Sequence, residues 1–86
     1  MHAMKVTLKL YASLTRYLPP GSGRHEAELD VAEGTTPAAI IDRYKLPLEL
    51  THLVFINGVF VDRESRDETE LQDGDQLAIF PPVAGG

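Results

Sequence analysis

The stretch "HLVFINGVFVD", residues 52–62, is the clearest local indication of the fold. Two runs rich in β-branched and aromatic residues flank Asn57-Gly58. That pair is preferred in the two-residue type I′ turn, which joins the strands of a β-hairpin. The stretch therefore predicts two antiparallel strands with a tight turn, and hence a fold that contains a β-sheet.

C-terminal to this hairpin lies a polar connector, "RESRDETELQDGD". Residues 61–75 carry seven acidic residues and two arginines. We interpret these charges as a solvated face, although they could also steer the chain toward a basic partner surface. Leu71 alone is expected to point inward. Asp73-Gly74-Asp75 offers too few ligands for calcium and predicts a turn.

The last strand is predicted in "QLAIF", residues 76–80, with Leu77 and Ile79 inward and Ala78 and Phe80 outward. "KVTLKLYA", residues 5–12, alternates strictly and predicts a first strand with Val6, Leu8 and Leu10 inward. "RHEAELDVAEG", residues 24–34, predicts a second strand, antiparallel to the first, with Ala27, Leu29 and Val31 inward. The intervening "SLTRYLPPGSG" is predicted to be a loop because of its proline and glycine residues.

A helix is predicted in "TTPAAIIDRY", residues 35–44. Thr36 is a suitable N-cap and Pro37 fits the first helical position. The apolar stripe consists of Ile40, Ile41 and Tyr44, and Pro47 prevents the helix from continuing.

The predicted element order is therefore β-β-α-β-β-β, an α+β class in which one helix covers one face of a sheet. This order fits a β-grasp (ubiquitin-like) fold with a mixed sheet of about five strands. We expect one domain over residues 1–80 and an extended tail over residues 81–86. Tyr11 and Phe80 lie on the face of the sheet that no predicted element covers.

Composition excludes several classes of function. The chain has 86 residues, a formal net charge of −5 and no cysteine, which excludes disulfides, a cysteine nucleophile and thiolate metal sites. The net charge argues against nucleic acid, and no apolar run has the length of a membrane span. We expect a cytoplasmic protein without a membrane partner. His2, His25 and His52 share no ligand-like spacing, so we predict no metal site and no permanently bound cofactor.

The tail "PPVAGG", residues 81–86, has a sequence that suits a reactive C-terminus. Pro81 and Pro82 end the strand and hold the exit extended. Val83, Ala84, Gly85 and Gly86 then taper to a free carboxylate, a shape that suits insertion into a narrow channel. The carboxylate becomes reactive once it is adenylated. The chain ends at Gly86, so we expect no processing. Taken alone, the tail fits an unreactive chain end better than this chemistry, because many chains end in glycine.

Three stretches together resemble a known family: "KLYASL", the "DGD" turn and above all "AIFPPVAGG", residues 78–86. They are similar to the ubiquitin-like sulfur carriers (MoaD/ThiS-like), most of all to the small subunit of molybdopterin synthase. Thiamine-pathway carriers also end in Gly-Gly but are less similar in the Phe-Pro-Pro stretch. The resemblance covers the whole domain, and its specific part is the last nine residues.

The resemblance implies that an E1-like adenylyltransferase, using ATP, adenylates Gly86. A sulfur donor protein then converts it to a thiocarboxylate. The tail, from Pro81 to Gly85, would carry this group into the large catalytic subunit of molybdopterin synthase, where sulfur passes to a pyranopterin precursor. The chain would be a protein co-substrate without catalytic side chains of its own. Phe80 and Tyr11 match positions where the family contacts its partners, although Phe80 could also simply pack on Tyr11.

Two other functions stay open. The chain could serve thiamine or another sulfur-containing metabolite. It could instead belong to a different class, either a β-grasp interaction module or a modifier that is conjugated to proteins through Gly86. Conjugation begins with the same acyl adenylate, so the sequence alone does not separate it from sulfur transfer.

Overall fold

The computed structural model describes residues 3–82. The predictions that concern His2, Val83, Ala84, Gly85 and Gly86 lie outside the described residues.

The described chain forms one sheet with one α-helix. The strands are β1 (Ala3–Leu10), β2 (Glu26–Ala32), β3 (Leu53–Ile56), β4 (Val59–Phe60) and β5 (Gln76–Phe80). The helix α1 (Pro37–Arg43) lies between β2 and β3, and short 3-10 helices occupy Ala12–Tyr17, Leu48–Leu50 and Arg63–Ser65. The predicted order β-β-α-β-β-β is confirmed, and so is the α+β, β-grasp class.

The sheet is mixed, with the strand order β2-β1-β5-β3-β4. The first and last strands, β1 and β5, are parallel neighbours at its centre. The pairs β1–β2, β3–β5 and β3–β4 are antiparallel. The end of β5 is therefore flanked by a strand on each side.

The β3–β4 hairpin has the predicted turn. Asn57 and Gly58 have φ values of 52° and 83°, so both lie in the left-handed region that a type I′ turn requires. Ile56 is paired with Val59 across this turn.

The core lies between the inner face of the sheet and α1. Alternate residues of β1, β2 and β5 are buried, and they are the ones predicted: Val6, Leu8, Leu10, Ala27, Leu29, Val31, Leu77 and Ile79. Ile40, Ile41 and Leu71 are also buried in the same cluster, while Tyr44 is partly buried against it. The apolar residues of the helix thus cover the apolar face of the sheet.

The ends of α1 follow local chemistry. The Thr36 hydroxyl accepts a hydrogen bond from the backbone N–H of Ala39 at 3.2 Å, which satisfies one of the free donors of the first turn. Pro37 stands at the start of the helix. Lys45 has a φ of 57° just after the last turn, and Pro47 follows. The predicted N-cap and termination are confirmed.

The prediction of a loop after β1 is wrong for its first part. Ala12–Tyr17 is a 3-10 helix, and Leu14 within it is fully buried. Tyr17 and Leu18 also pack against the core. The prolines and glycines that predicted a loop lie beyond this turn, while the apolar side chains before them are close enough to the core to bury themselves.

The Asp73-Gly74-Asp75 turn is confirmed, and its carboxylates accept hydrogen bonds. Asp73 Oδ1 accepts from the backbone N–H of Lys5 at 2.8 Å. Asp75 accepts from the backbone N–H of Gln72 at 2.7 Å and from Asn57 Nδ2 at 2.8 Å. The turn therefore ties the start of β5 to both β1 and the hairpin.

Candidate functional site

Four aromatic side chains share the outer face of the sheet, the face that α1 does not cover. They are Tyr11, Phe55, Phe60 and Phe80, called here the aromatic face. The register places them together: Phe55 is paired with Phe60 on one side and with Ala78 of β5 on the other. Since side chains on one face recur every second residue, Phe80 stands next to Phe55 on the same surface.

The rings of the aromatic face touch in a continuous row. Tyr11 and Phe80 are stacked in parallel, with centroids 4.3 Å apart and an interplanar angle of 2°. Phe55 meets Phe80 edge-on at 5.7 Å and Phe60 at 5.9 Å. His25 stacks on the other end of the row, 5.1 Å from Tyr11. Phe80 therefore packs on Tyr11 and is at the same time part of the outer surface, so the two interpretations of Phe80 are compatible.

The distribution of aromatic residues separates this surface from the core. The chain has three phenylalanines, and all three lie on the aromatic face. The buried core cluster consists of aliphatic residues and Met4. Phe60 remains 54% exposed and Leu53, paired with Phe80, 36% exposed. Tyr11, Phe55 and Phe80 are half-buried. A contiguous, partly exposed apolar patch of this kind is a candidate protein interface, and binding hot spots are enriched in aromatic residues.

The tail begins at the edge of the aromatic face. The carbonyl oxygen of Phe80 accepts a hydrogen bond from the backbone N–H of His52 at 3.0 Å, so β5 is held up to its last residue. Pro81 is half-buried and Pro82 exposed. Neither proline has an N–H with which to extend the ladder, so the chain leaves the sheet here. The structure thus brings Tyr11, Phe80, Pro81 and Pro82 together.

The outer face of the β1–β2 pair is charged. Glu26, Glu28 and Asp30 of β2 are exposed there. Lys5 donates a hydrogen bond to Asp30 at 2.9 Å, and this hydrogen bond and the charge of Asp30 raise the pKa of Lys5. The aromatic face is therefore bordered by an acidic strand.

Sequence reasoning missed Phe55, Phe60 and Arg66. Phe55 and Phe60 could have been placed on one face from the hairpin alone, because the two-residue turn makes them a cross-strand pair. Their position beside Phe80 depends on the pairing of β3 with β5, which no local pattern indicates. Arg66 lies in a connector that is polar throughout, yet it is buried.

Within residues 3–82 no three His, Cys, Asp or Glu side chains are grouped closely enough to hold a metal ion. In that same range the structure has no helix with the length and apolar character needed to cross a membrane.

Comparison with known proteins gives one family. The model of the ThiS family matches residues 9–86. A search of curated protein sequences finds no significant match.

Solved structures share the fold over nearly the full chain. A protein of Pyrococcus furiosus assigned as molybdopterin converting factor, subunit 1, is 28% identical with a TM-score of 0.67, and the match covers 93% of this chain and 99% of that one.

Two further structures are less than 25% identical and show similarity of fold alone. The small archaeal modifier protein 1 of Methanosarcina acetivorans is 24% identical, with a TM-score of 0.64 and coverage of 100% of both chains. The complex of subunits 1 and 2 of the molybdopterin-converting factor from Helicobacter pylori matches at 21% identity and a TM-score of 0.62, covering 96% of this chain and 100% of the matched one.

Proposed function

The chain belongs to the ThiS family of ubiquitin-like sulfur carriers, and on that premise we propose that it carries sulfur as a thiocarboxylate on Gly86 for molybdopterin synthesis. The observation that supports this most strongly is the origin of the tail. Phe80 is both the last residue of β5 and the centre of the aromatic face. A partner that covers this face is therefore next to the segment that we propose enters its active site.

The proposed chemistry has two steps. The Gly86 carboxylate attacks the α-phosphorus of ATP, and pyrophosphate leaves to give an acyl adenylate. A sulfide-level nucleophile from a sulfur donor protein then attacks the carbonyl carbon, and AMP leaves to give the thiocarboxylate. ATP is a substrate of the activating enzyme and is not a resident group of this chain.

The length of the tail supports the proposal that one small surface serves successive partners. Residues 81–86 could extend by about 20 Å if fully stretched, enough for Gly86 to reach a recessed site while the partner rests on the aromatic face. We propose an E1-like adenylyltransferase and the large subunit of molybdopterin synthase as these partners. In support of the latter, the Helicobacter pylori relative is a complex of subunit 1 with subunit 2.

The test is the intact mass of the protein after incubation with its activating enzyme, ATP and a sulfur donor. We expect one oxygen to be replaced by sulfur, and fragmentation to locate the change at Gly86. Deletion of Gly86, or addition of one residue after it, should abolish the change and leave the fold intact. Sulfur transfer by the extended variant would refute the role of the tail. So would an unmodified wild-type protein in the presence of an enzyme shown to be active on another carrier.

The sulfur acceptor needs a separate measurement. The thiocarboxylated protein should support dithiolene formation when it is mixed with the large synthase subunit and a pyranopterin precursor. Turnover with a thiazole-forming enzyme in place of the synthase would indicate the thiamine branch.

A second candidate is conjugation to proteins through Gly86, favoured by the similarity in fold to small archaeal modifier protein 1. Here the ε-amine of a target lysine attacks the acyl adenylate, AMP leaves and an isopeptide bond forms. A ladder of conjugates in cell extract that Gly86 deletion removes would support the modifier. Sulfur on the monomer without a ladder would support the carrier.

A further inference from the structure

A buried arginine connects the polar connector to the place where the tail leaves the sheet. Arg66 is only 6% exposed, although the residues on either side of it in the connector are mostly exposed. Its Nη1 donates a hydrogen bond to Thr51 Oγ1 at 3.1 Å, and its Nη2 donates to the carbonyl oxygen of His52 at 3.3 Å. Thr51 and His52 immediately precede β3. The guanidinium therefore holds the segment that leads into β3.

The two peptide groups of His52 connect Arg66 to the last residue of β5. The carbonyl oxygen of His52 accepts from Arg66, while its N–H donates to the carbonyl oxygen of Phe80 at 3.0 Å. Leu53 is also paired with Phe80, so two successive residues oppose one, which is the arrangement of a β-bulge. Bulges are frequent next to active sites, where they end strand pairing or redirect the chain. Pro81, where the chain leaves the sheet, is the next residue.

The main chain of Arg66 is anchored to the helix. Its carbonyl oxygen accepts a hydrogen bond from the backbone N–H of Ala38 at 3.0 Å, in the first turn of α1. Hydrogen bonds thus join α1 to Arg66, Arg66 to His52, and His52 to Phe80. The end of β5 is supported from the helix side of the molecule through one side chain.

Stability alone is a weak explanation for a cation at this position. Burial, and to a lesser extent the charge of Arg63, lower the pKa of Arg66, although an arginine stays protonated near neutral pH. Both of its acceptors are neutral, and its Nε has no hydrogen-bond partner among residues 3–82. A buried charge without an anionic partner is costly, and an apolar side chain of similar size is often as stable. What an apolar side chain could not supply is the hydrogen bond to His52.

We propose that Arg66 is a positioning residue for the tail: through His52 it fixes the place and direction in which Pro81 leaves β5. The inference rests on the function proposed above, in which Gly86 must reach a recessed site while the partner covers the aromatic face. Arg66 is not part of that face, so its loss should leave docking intact and make productive placement of the tail less frequent. A displacement of about 1 Å far from the reacting atoms can slow a reaction by roughly 100-fold.

The structural part of the proposal is tested by NMR hydrogen exchange on the full-length protein. In Arg66→Met we expect the His52 amide to exchange about tenfold faster, because the bond to Phe80 opens more often once His52 is released. Amides of β1 should keep their wild-type protection. Unchanged exchange at His52, or an equal acceleration of all amides, would refute the proposal.

Arg63→Met is the matched control for this experiment. Arg63 lies in the same connector and carries the same charge, but its side chain is exposed. The exchange of His52 should be the same in this variant as in the wild type. A faster exchange equal to that of Arg66→Met would show that the lost charge, and not the hydrogen bond, is responsible. Arg66→Lys, which keeps the charge without the two-pronged guanidinium, serves the same comparison if Arg66→Met does not fold.

The functional part is tested by the kinetics of sulfur loading, with the carrier as the varied substrate. Arg66→Met should lower kcat by about tenfold and leave KM within about twofold, the pattern of lost orientation and intact docking. Arg63→Met should behave like the wild type. An unchanged kcat, or a rise in KM that accounts for the whole loss, would refute the positioning role. If the wild type itself acquires no sulfur, the proposed function fails, and the exchange of His52 alone decides whether Arg66 holds the exit of the tail.

Discussion

Within the single strand β5, alternate residues face two different environments. Leu77 and Ile79 are fully buried in the core, whereas Ala78 and Phe80 are half-buried on the outer face. The inner side is closed by α1 together with Leu14 and Leu71. On the outer side, Phe80 is the centre of the aromatic face. The comparison indicates that stability and the proposed partner binding depend on neighbouring residues of one strand, so substitutions should be able to separate them.

The two faces also differ in the kind of apolar residue. Aliphatic side chains pack the core, where their shapes fill space densely. The phenylalanines are on the outer face, where a flat ring offers a large contact area with few rotatable bonds. We therefore expect substitutions on the inner face to change the free energy of unfolding, and those on the outer face to change affinity.

The largest expected effect is on the inner face. Ile79→Ala should reduce the free energy of unfolding by about 3–4 kcal/mol, because it removes a fully buried side chain and leaves a cavity. Urea denaturation followed by circular dichroism measures the change, with Ala78→Ser on the outer face of the same strand as the control. A loss below about 1 kcal/mol for Ile79→Ala would contradict the assignment of the core.

The next effect belongs to the outer face. Phe80→Ala should weaken binding to the activating enzyme and to the synthase subunit by about 2 kcal/mol, roughly 30-fold in Kd, because it removes the central ring of the aromatic face. Its effect on unfolding should be smaller than that of Ile79→Ala. Calorimetric titration gives the affinities, and Leu48→Ala, an exposed apolar residue on the α1 side, is the control. Unchanged affinity for both partners would remove the aromatic face as the interface.

A smaller effect should come from the turn that precedes β5. Gly74 has a φ of 88°, and a Cβ added there would meet nothing within 4 Å. Gly74→Ala should therefore cost about 1 kcal/mol of stability, from the backbone conformation alone. Partner affinity should not change, since both faces of β5 keep their side chains. A loss of affinity with intact stability would mean that the turn itself contacts a partner.

The smallest effect is expected at the ion pair between Lys5 and Asp30. Both side chains are largely exposed, so solvent screens their attraction. The raised pKa of Lys5 means that its contribution is present below the pKa of the unfolded chain and is lost as the pH rises through the folded pKa. Lys5→Met should therefore leave the thermal midpoint nearly unchanged at pH 7, and any difference from the wild type should vanish at strongly alkaline pH. A large loss at pH 7 would contradict this account.

Much of the fold could be predicted because its information is local. Strict alternation identified β1, β2 and β5, and Asn57-Gly58 identified the hairpin with its turn type. The 3-10 helix at Ala12–Tyr17 was missed because the burial of Leu14 depends on the core that forms around it. The burial of Arg66 was missed for a similar reason, since its hydrogen-bond acceptors belong to Thr51 and His52.

The candidate site was predicted only in part. Tyr11 and Phe80 were assigned from the family resemblance, and the structure stacks them. Phe55 and Phe60 complete the surface, but their place beside Phe80 follows from the β3–β5 register, a contact between strands more than twenty residues apart in sequence. The predicted roles of Pro81 and Pro82 as a stiff exit, and of Gly86 as the reactive end, stay predictions.

The central position of β5 has a consequence for how the chain folds. Without β5 the sheet would fall into two separate hairpins, β1–β2 and β3–β4, neither of which has a partner for its remaining edge. The parallel β1–β5 pair also joins the two ends of the domain, so folding must close nearly the whole chain in one loop and should be slow for a protein of this size. Completion of the sheet and presentation of Phe80 are consequently the same event. If the activating enzyme docks on the aromatic face as proposed, we expect it to accept only chains whose sheet is complete.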